Sequence, residues 1–261
     1  MDKEAVLYEV RDTIAKITLN LPEMRNPLTT RLTCELITAI EAADQDEQVK
    51  AIILTGNGPA FCAGGDMNEF KENFSKSVPQ LYFEGKEGTR LFELGAAIRT
   101  PLIASVHGAA LGGGCGLVAM SHLAIASDQA KFGTTELRLG LVPFVILPWI
   151  RRAVGERRAM EMMLTADIIS AQKAYEYGLI HHMTAPEQLE EETWKLARLV
   201  ASYSPLAVKL GIEAFRTTEQ TDLLTSMAQL CTLRLVAFAS HDLREGATAF
   251  LEKRAPVWEG K

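Results

Sequence analysis

The chain has 261 residues, 48% of them hydrophobic, enough for one large domain or two small ones around a sizeable core. It carries 27 Lys and Arg against 33 Asp and Glu, a formal charge of −6 without a basic block, which argues against nucleic acid as a main partner. Four scattered cysteines with no C-x-x-C pair, a charged N-terminus with no apolar leader, and no apolar run of bilayer length set the expectation of a soluble cytoplasmic protein with no membrane partner.

In chain order, AVLYEV and IAKITLN predict a hairpin that turns around Arg11 and Asp12, and LPEMRNP a loop. Leu28, Leu32, Leu36, Ile37, Ile40 and Ala43 recur at helical spacing. KAIILTG reads as a buried strand, and a helix is predicted from about Met67. ENFSKSVPQLYFEGKEG reads as irregular, polar and mobile, and TRLFELGAAIRT as a helix stopped ahead of Pro101. Strand LIASVHG, short helix CGLVAMS, strand LAIAS and the segment AKFGTTELRLGLVP follow. Helical periodicity then runs from ERRAMEMMLTA to LREGATAFLEKRAP, with the AMEMM methionines read as core. A weak ββα recurrence at residues 4–47, 50–98 and 101–128 suggests stacked ββα units. The expected division is a β/α core over residues 1–200 and a helical region over 201–261.

FCAGGD at residues 61–66 and ALGGGCG at residues 110–116 each follow a run of branched apolar residues. Glycine is entropically costly, so such loops raise the question of what needs the room. The dinucleotide fingerprint G-x-G-x-x-G fails because Leu117 stands at its last position, and neither a P-loop nor a G-x-S-x-G elbow occurs. His181 and His182 adjoin without a cysteine or carboxylate at metal spacing, so no metal is expected. Two readings remain. The glycines let a helix pack closely on a strand, or they free backbone N–H groups at two helix N-termini to face one oxygen. The second arrangement is an oxyanion hole, worth about 3–4 kcal/mol per donor.

GNGPAFCAGGDMNEF, VHGAALGGGCGL and AKFGTTELRLGLVP, in this order, resemble the three signature blocks of the crotonase superfamily, the enoyl-CoA hydratase/isomerase family. LNLPEMRNPLT resembles that family's first CoA loop, and EGATAFLEKRAP its last helix, so the resemblance covers nearly the whole chain. It implies an α/β, crotonase-like ββα superhelix with a C-terminal helical trimerisation region, and a homotrimer or homohexamer. It implies an acyl-CoA thioester substrate, with CoA as part of that substrate and no other cofactor. By the same resemblance, the N–H groups of Gly65 and Gly113 would hold the thioester oxygen. Met24, Arg25, Ala63, Gly64, Asp66 and Met67 would line the CoA groove with them. Lys253 would reach a CoA phosphate from a neighbouring subunit, with Phe250 packed beside it.

Hydratases of this family usually carry two glutamates, one after the GGGC run and one after the FG loop. Only the second is present, as Glu136; Gly116 stands in the place of the first, and the bulky VPFVILPWI replaces a glycine-rich segment. Hydration is easiest with two carboxylates, whereas moving a double bond needs one base that removes a proton and returns it. A single buried glutamate therefore points to isomerase-type chemistry, and a glutamate at position 116 is expected to restore the second carboxylate if the pocket admits it. The alternatives are a hydratase that works with Glu136 alone or with Glu84, Glu87 or Glu93, thioester decarboxylation or hydrolysis, and a non-catalytic acyl-CoA binder. Glu136 also reads as a surface glutamate on a turn. Cys115, at a helix N-terminus that would lower its pKa, reads as a thiol nucleophile or as packing, and Asp66 as a helix cap.

Overall fold

The computed structural model describes residues 3–261, apart from the side chains of Glu87 and Gln220. Strands β1 (Val6–Arg11) and β2 (Ile14–Leu19) form the expected hairpin, with Asp12 and Thr13 both at positive φ in its two-residue turn. Helix α1 (Thr30–Gln45) begins where the Thr29 hydroxyl accepts the N–H of Leu32, and buries Leu32, Leu36, Ile37, Ile40 and Ala43. Strand β3 (Ala51–Gly56), helices α2 (Met67–Asn73) and α3 (Val78–Ala97), strands β4 (Leu102–Val106) and β5 (Ala109–Leu111), and helix α4 (Gly113–Met120) follow. Next come β6 (Leu123–Ser127), β7 (Lys131–Gly133), a 3-10 turn over Glu136–Leu139, and α5 (Leu147–Thr165), kinked at Gly155. Strand β8 (Ile169–Ser170), helix α6 (Ala171–Tyr177), strand β9 (His182–Thr184) and helix α7 (Leu189–Ala201) complete the core; α8 (Pro205–Gln220), α9 (Leu223–Ala239) and α10 (His241–Glu252) close the chain.

The main sheet has the order β1-β2-β3-β4-β6-β9 and is parallel from β2 onward. A parallel strand covered on both faces carries apolar residues throughout, as β3 and β4 do. One face packs on α1, α3 and α4; on the other, Trp194 and Ala197 of α7 cover Ile14, Ile53 and Ile103. The short segments that follow the main strands stack in the same order: Leu28 bridges Gly65, Cys62 bridges Ala110, and β5 pairs with β7. Each unit therefore adds one long and one short strand, and the chain winds as a superhelix of ββα units.

Two expectations about local structure are corrected. Most of ENFSKSVPQLYFEGKEG lies in α2 and α3, with a capping box in which the Ser77 N–H bonds to the Gln80 side chain at 2.9 Å. Helical spacing is hidden there because the helix buries a face only from Leu91 on, while Val78, Tyr82 and Phe83 stay exposed. In AMEMM, Met162 is buried but Met160 is 54% exposed.

The helical region is tied to the core by Arg216 of α8, which donates to the carbonyls of Gly95, Ala97 and Ile98 at the end of α3. Among the described residues no single helix is long and apolar enough to cross a membrane; the bent pair α9–α10 passes by length and composition alone.

Candidate active site

The two glycine loops meet. Cys62 donates its N–H to the Ala109 carbonyl and accepts that of Leu111, both at 3.0 Å, which lays the first loop along β5. Gly64 has φ +94°, and a Cβ there would lie 2.9 Å from the Leu111 carbonyl oxygen and 3.6 Å from the Gly113 nitrogen. At Gly114 a Cβ would stand 2.3 Å from the Cys62 carbonyl oxygen. Part of the room is therefore needed by the loops themselves, as the packing reading holds for Gly64 and Gly114.

The remaining glycines leave donors open. Among the described residues, no acceptor takes the N–H of Gly65 or of Gly113, the first residue of α4. On the side-chain side of these glycines stand the ends of other side chains: a Cβ on Gly65 would meet the Phe70 ring tip at 2.6 Å, and one on Gly113 the Leu28 Cδ1 at 2.6 Å.

Glu136 opens the 3-10 turn after β7, where it is half-buried rather than on the surface. Its Oε1 lies 3.2 Å from where a Gly112 Cβ would be, so its carboxyl faces the N-terminus of α4. Among the described residues, its Oε2 is the one buried carboxylate oxygen without a hydrogen-bond partner. Burial raises its pKa above the ordinary 4.5, against a smaller opposing effect of its own backbone N–H.

Burial also decides the cysteines. The Cys62 and Cys115 thiols are pushed up to about 12, so at Cys115 desolvation overrides the helix N-terminus and neither thiol supplies a thiolate near neutrality. The alternative carboxylates do not gather here. Glu84 is exposed and paired with Lys76, Glu93 is exposed, and the Glu87 side chain lies outside the described residues. Among the described residues, no three His, Cys, Asp or Glu side chains cluster as metal ligands.

Met24, Ala63, Gly65, Asp66 and Met67 line one groove of about 520 Å³. Leu111, Arg138 and Ile168, which periodicity and spacing do not single out, line it with them. Asp66 is buried and caps α2, accepting the N–H groups of Asn68 and Glu69. Arg25 contributes its carbonyl, which accepts the Ala63 N–H at 3.0 Å; its side chain is not among the lining groups. Gly64, Gly113 and Glu136 sit beside this groove rather than on its walls. Phe250 and Lys253, at the end of α10, are exposed and do not reach it within one chain. A second cavity, of about 560 Å³ between α4, α5 and α8, holds none of the anticipated residues. Sequence reading also passed over Asn26, which is buried at positive φ and donates to the carbonyls of Asn57, Ala60 and Phe61. Its signal was its residue type, since Asn is favoured in left-handed backbone.

The sequence model of the enoyl-CoA hydratase/isomerase family matches residues 9–261. The chain is 36% identical over 256 residues to crotonyl-CoA hydratase of Syntrophomonas wolfei, covering 97% of each protein. It is 34% identical over 251 residues to 2,3-dehydroadipyl-CoA hydratase of Escherichia coli, covering 94% of each. The crystal structure of enoyl-CoA hydratase from Bacillus anthracis superposes with a TM-score of 0.92 at 32% identity, over 98% of this chain and 100% of the other. The superhelix of ββα units with its helical C-terminal region is thus the crotonase fold, and the chain belongs to the enoyl-CoA hydratase/isomerase family.

Proposed function

We propose that this enzyme shifts the double bond of an enoyl-CoA thioester, with Glu136 as the single proton carrier. The observation that carries the reading is one half-buried carboxyl, with Oε2 unpartnered, beside N–H donors that no acceptor takes among the described residues. In a 3-enoyl thioester the proton at C2 is acidified by the carbonyl. Glu136 takes it, and the electron pair it leaves spreads onto the thioester oxygen, held by the N–H groups of Gly65 and Gly113, and onto C4. A proton returned at C4 leaves the 2-enoyl isomer. One proton leaves and one returns, with no net oxidation or reduction, and CoA enters as part of the substrate. Two oxyanion donors at about 3–4 kcal/mol each and a base whose pKa burial has raised are large effects for such a step. The groove bordered by Met24, Ala63, Asp66 and Met67 suits the pantetheine arm. The names of the relatives favour a second reading, hydration of a 2-enoyl thioester.

Incubation with 3-enoyl-CoA and 2-enoyl-CoA in deuterated water, followed by mass spectrometry, separates these readings. Interconversion of the isomers with deuterium wash-in and little water adduct is expected. Rapid hydration without double-bond movement would replace this reading with hydration. Binding of the thioesters without any exchange would leave a non-catalytic acyl-CoA binder.

Assembly belongs to the same proposal: α8–α10 form the contacts of a homotrimer or homohexamer, and Lys253 and Phe250 reach the groove of a neighbouring subunit. Leu223 (74%), Leu224 (78%) and Leu235 (65%) are exposed in the isolated chain, an apolar face that oligomers typically cover. Light scattering at micromolar concentration should give a trimer or hexamer; a clean monomer overturns the assignment.

A further inference from the structure

Gly113 and Gly116 lie side by side on α4, three residues apart, and Gly112 is the N-cap ahead of them. What faces them changes along the helix. A Cβ on Gly112 would approach the Glu136 carboxyl at 3.2 Å. At Gly113 it would meet Leu28 at 2.6 Å and the Phe92 ring at 3.9 Å. At Gly116 it would lie 2.2 Å from Ile146 Cγ2, 2.8 Å from Ile146 Cβ and 2.9 Å from Phe92 Cε1. Phe92 thus borders both the proposed oxyanion donor and the position where hydratases of the family carry their other glutamate.

We propose that Ile146, interlocked with Gly116 and flanked by Phe92, sets the reaction type by filling the space that a second carboxylate and its water would need. The inference rests on the single-glutamate reading above and gives it a physical agent. Position 116 is one half of a knob and hole, where any Cβ forces Ile146 or Phe92 to shift, so the condition that the pocket admit a glutamate there turns on Ile146. The obstruction is firm. Ile146 is 3% exposed, and the atom at 2.8 Å is its Cβ, the root of a β-branched side chain. Its carbonyl accepts the Ile150 N–H at 3.0 Å at the start of α5. Phe92 is 6% exposed, and its carbonyl accepts the Trp149 indole N–H at 3.1 Å.

Removing the knob should let a second carboxylate in. Ile146 is the N-cap residue of α5, a place where glycine is well tolerated. The pair Gly116→Glu with Ile146→Gly moves the bulky side chain from one residue to the other. Hydration then becomes balanced. A water oxygen bonds to C3 of the 2-enoyl thioester and gives its proton to one carboxylate. The C2=C3 pair moves toward the thioester and takes a proton at C2 from the other.

The experiment has two arms. In the first, the ratio of hydration to isomerisation is measured for the parent, Gly116→Glu, and the double variant. The double variant should raise the ratio at least about tenfold, whereas Gly116→Glu alone should fold poorly and gain no hydration. A folded double variant that binds CoA thioesters with an unchanged ratio overturns the proposal while leaving the isomerase reading intact. A parent that already hydrates rapidly overturns that reading instead. The second arm needs no activity. Melting temperatures of Gly116→Ala, Ile146→Gly and Gly116→Ala/Ile146→Gly form a double-mutant cycle. The alanine at 116 should destabilise the parent and be tolerated once Ile146 is glycine. Equal destabilisation in both backgrounds overturns the interlock even if the glutamate variants precipitate.

Discussion

Glu136→Gln is expected to slow turnover roughly 10²- to 10⁴-fold on every thioester that the parent converts, because glutamine keeps the size of the side chain but cannot accept the substrate proton. Affinity for a saturated acyl-CoA should change little by calorimetry, since the groove is built from other residues. The same variant has a second signature. Burial raises the Glu136 pKa above 4.5, so between that value and the folded one the native state holds a proton that the unfolded chain has released. The unfolded state binds fewer protons in that window, and stability conferred by this position falls as pH rises through it. Below the ordinary carboxylate pKa no penalty exists; above the folded pKa it is complete. The melting-temperature difference between variant and parent should therefore shift in favour of the variant as pH rises above the ordinary carboxylate value of 4.5. Activity should rise over the same window in the parent, as the base becomes ionised. Full activity in Glu136→Gln would place the base elsewhere. A pH-independent melting difference would show that the carboxyl is not held in a water-poor site.

Gly113→Pro is expected to lose at least about a hundredfold in turnover relative to Gly113→Ala, the cost of one oxyanion donor. The comparison matters because either side chain adds a Cβ that would stand 2.6 Å from Leu28 Cδ1. Both variants displace Leu28, but only proline removes the N–H. Proline suits the first position of a helix, where the N–H has no intrahelical acceptor, so α4 should survive. Similar turnover in the two folded variants would remove Gly113 from the oxyanion hole.

Much of this site is legible in the sequence for local reasons. Branched apolar runs that end in glycine clusters mark strands entering tight loops, and Asp66 ahead of Met67 marks a helix start. The bareness of position 116 is likewise visible at sight. Its meaning is not, because Ile146 comes from a separate turn of the superhelix, and no periodicity relates the two residues. The helix α3 escapes for another reason: Gly85 and Gly88 face open space and its first half buries no stripe, so propensity and spacing both argue against it. At Cys115 the sequence offers the right local field and no measure of desolvation, which turns out to be the larger effect. Arg138 and Ile168 enter the groove from segments whose side chains are aimed only by tertiary packing.

The clamp made by Arg216 bears on how the chain can be divided. Its guanidinium caps the last carbonyls of α3, the helix that carries Phe92, from α8 in the helical region. A helix end left without partners is costly, and here the partner comes from the part of the sequence that reads as an appendage. A cut near residue 200, natural as it looks in the sequence, would therefore not release an intact catalytic core. It would strip the partners from the terminus of the helix that carries Phe92, so the last sixty or so residues hold the β/α core in place as well as serving any assembly.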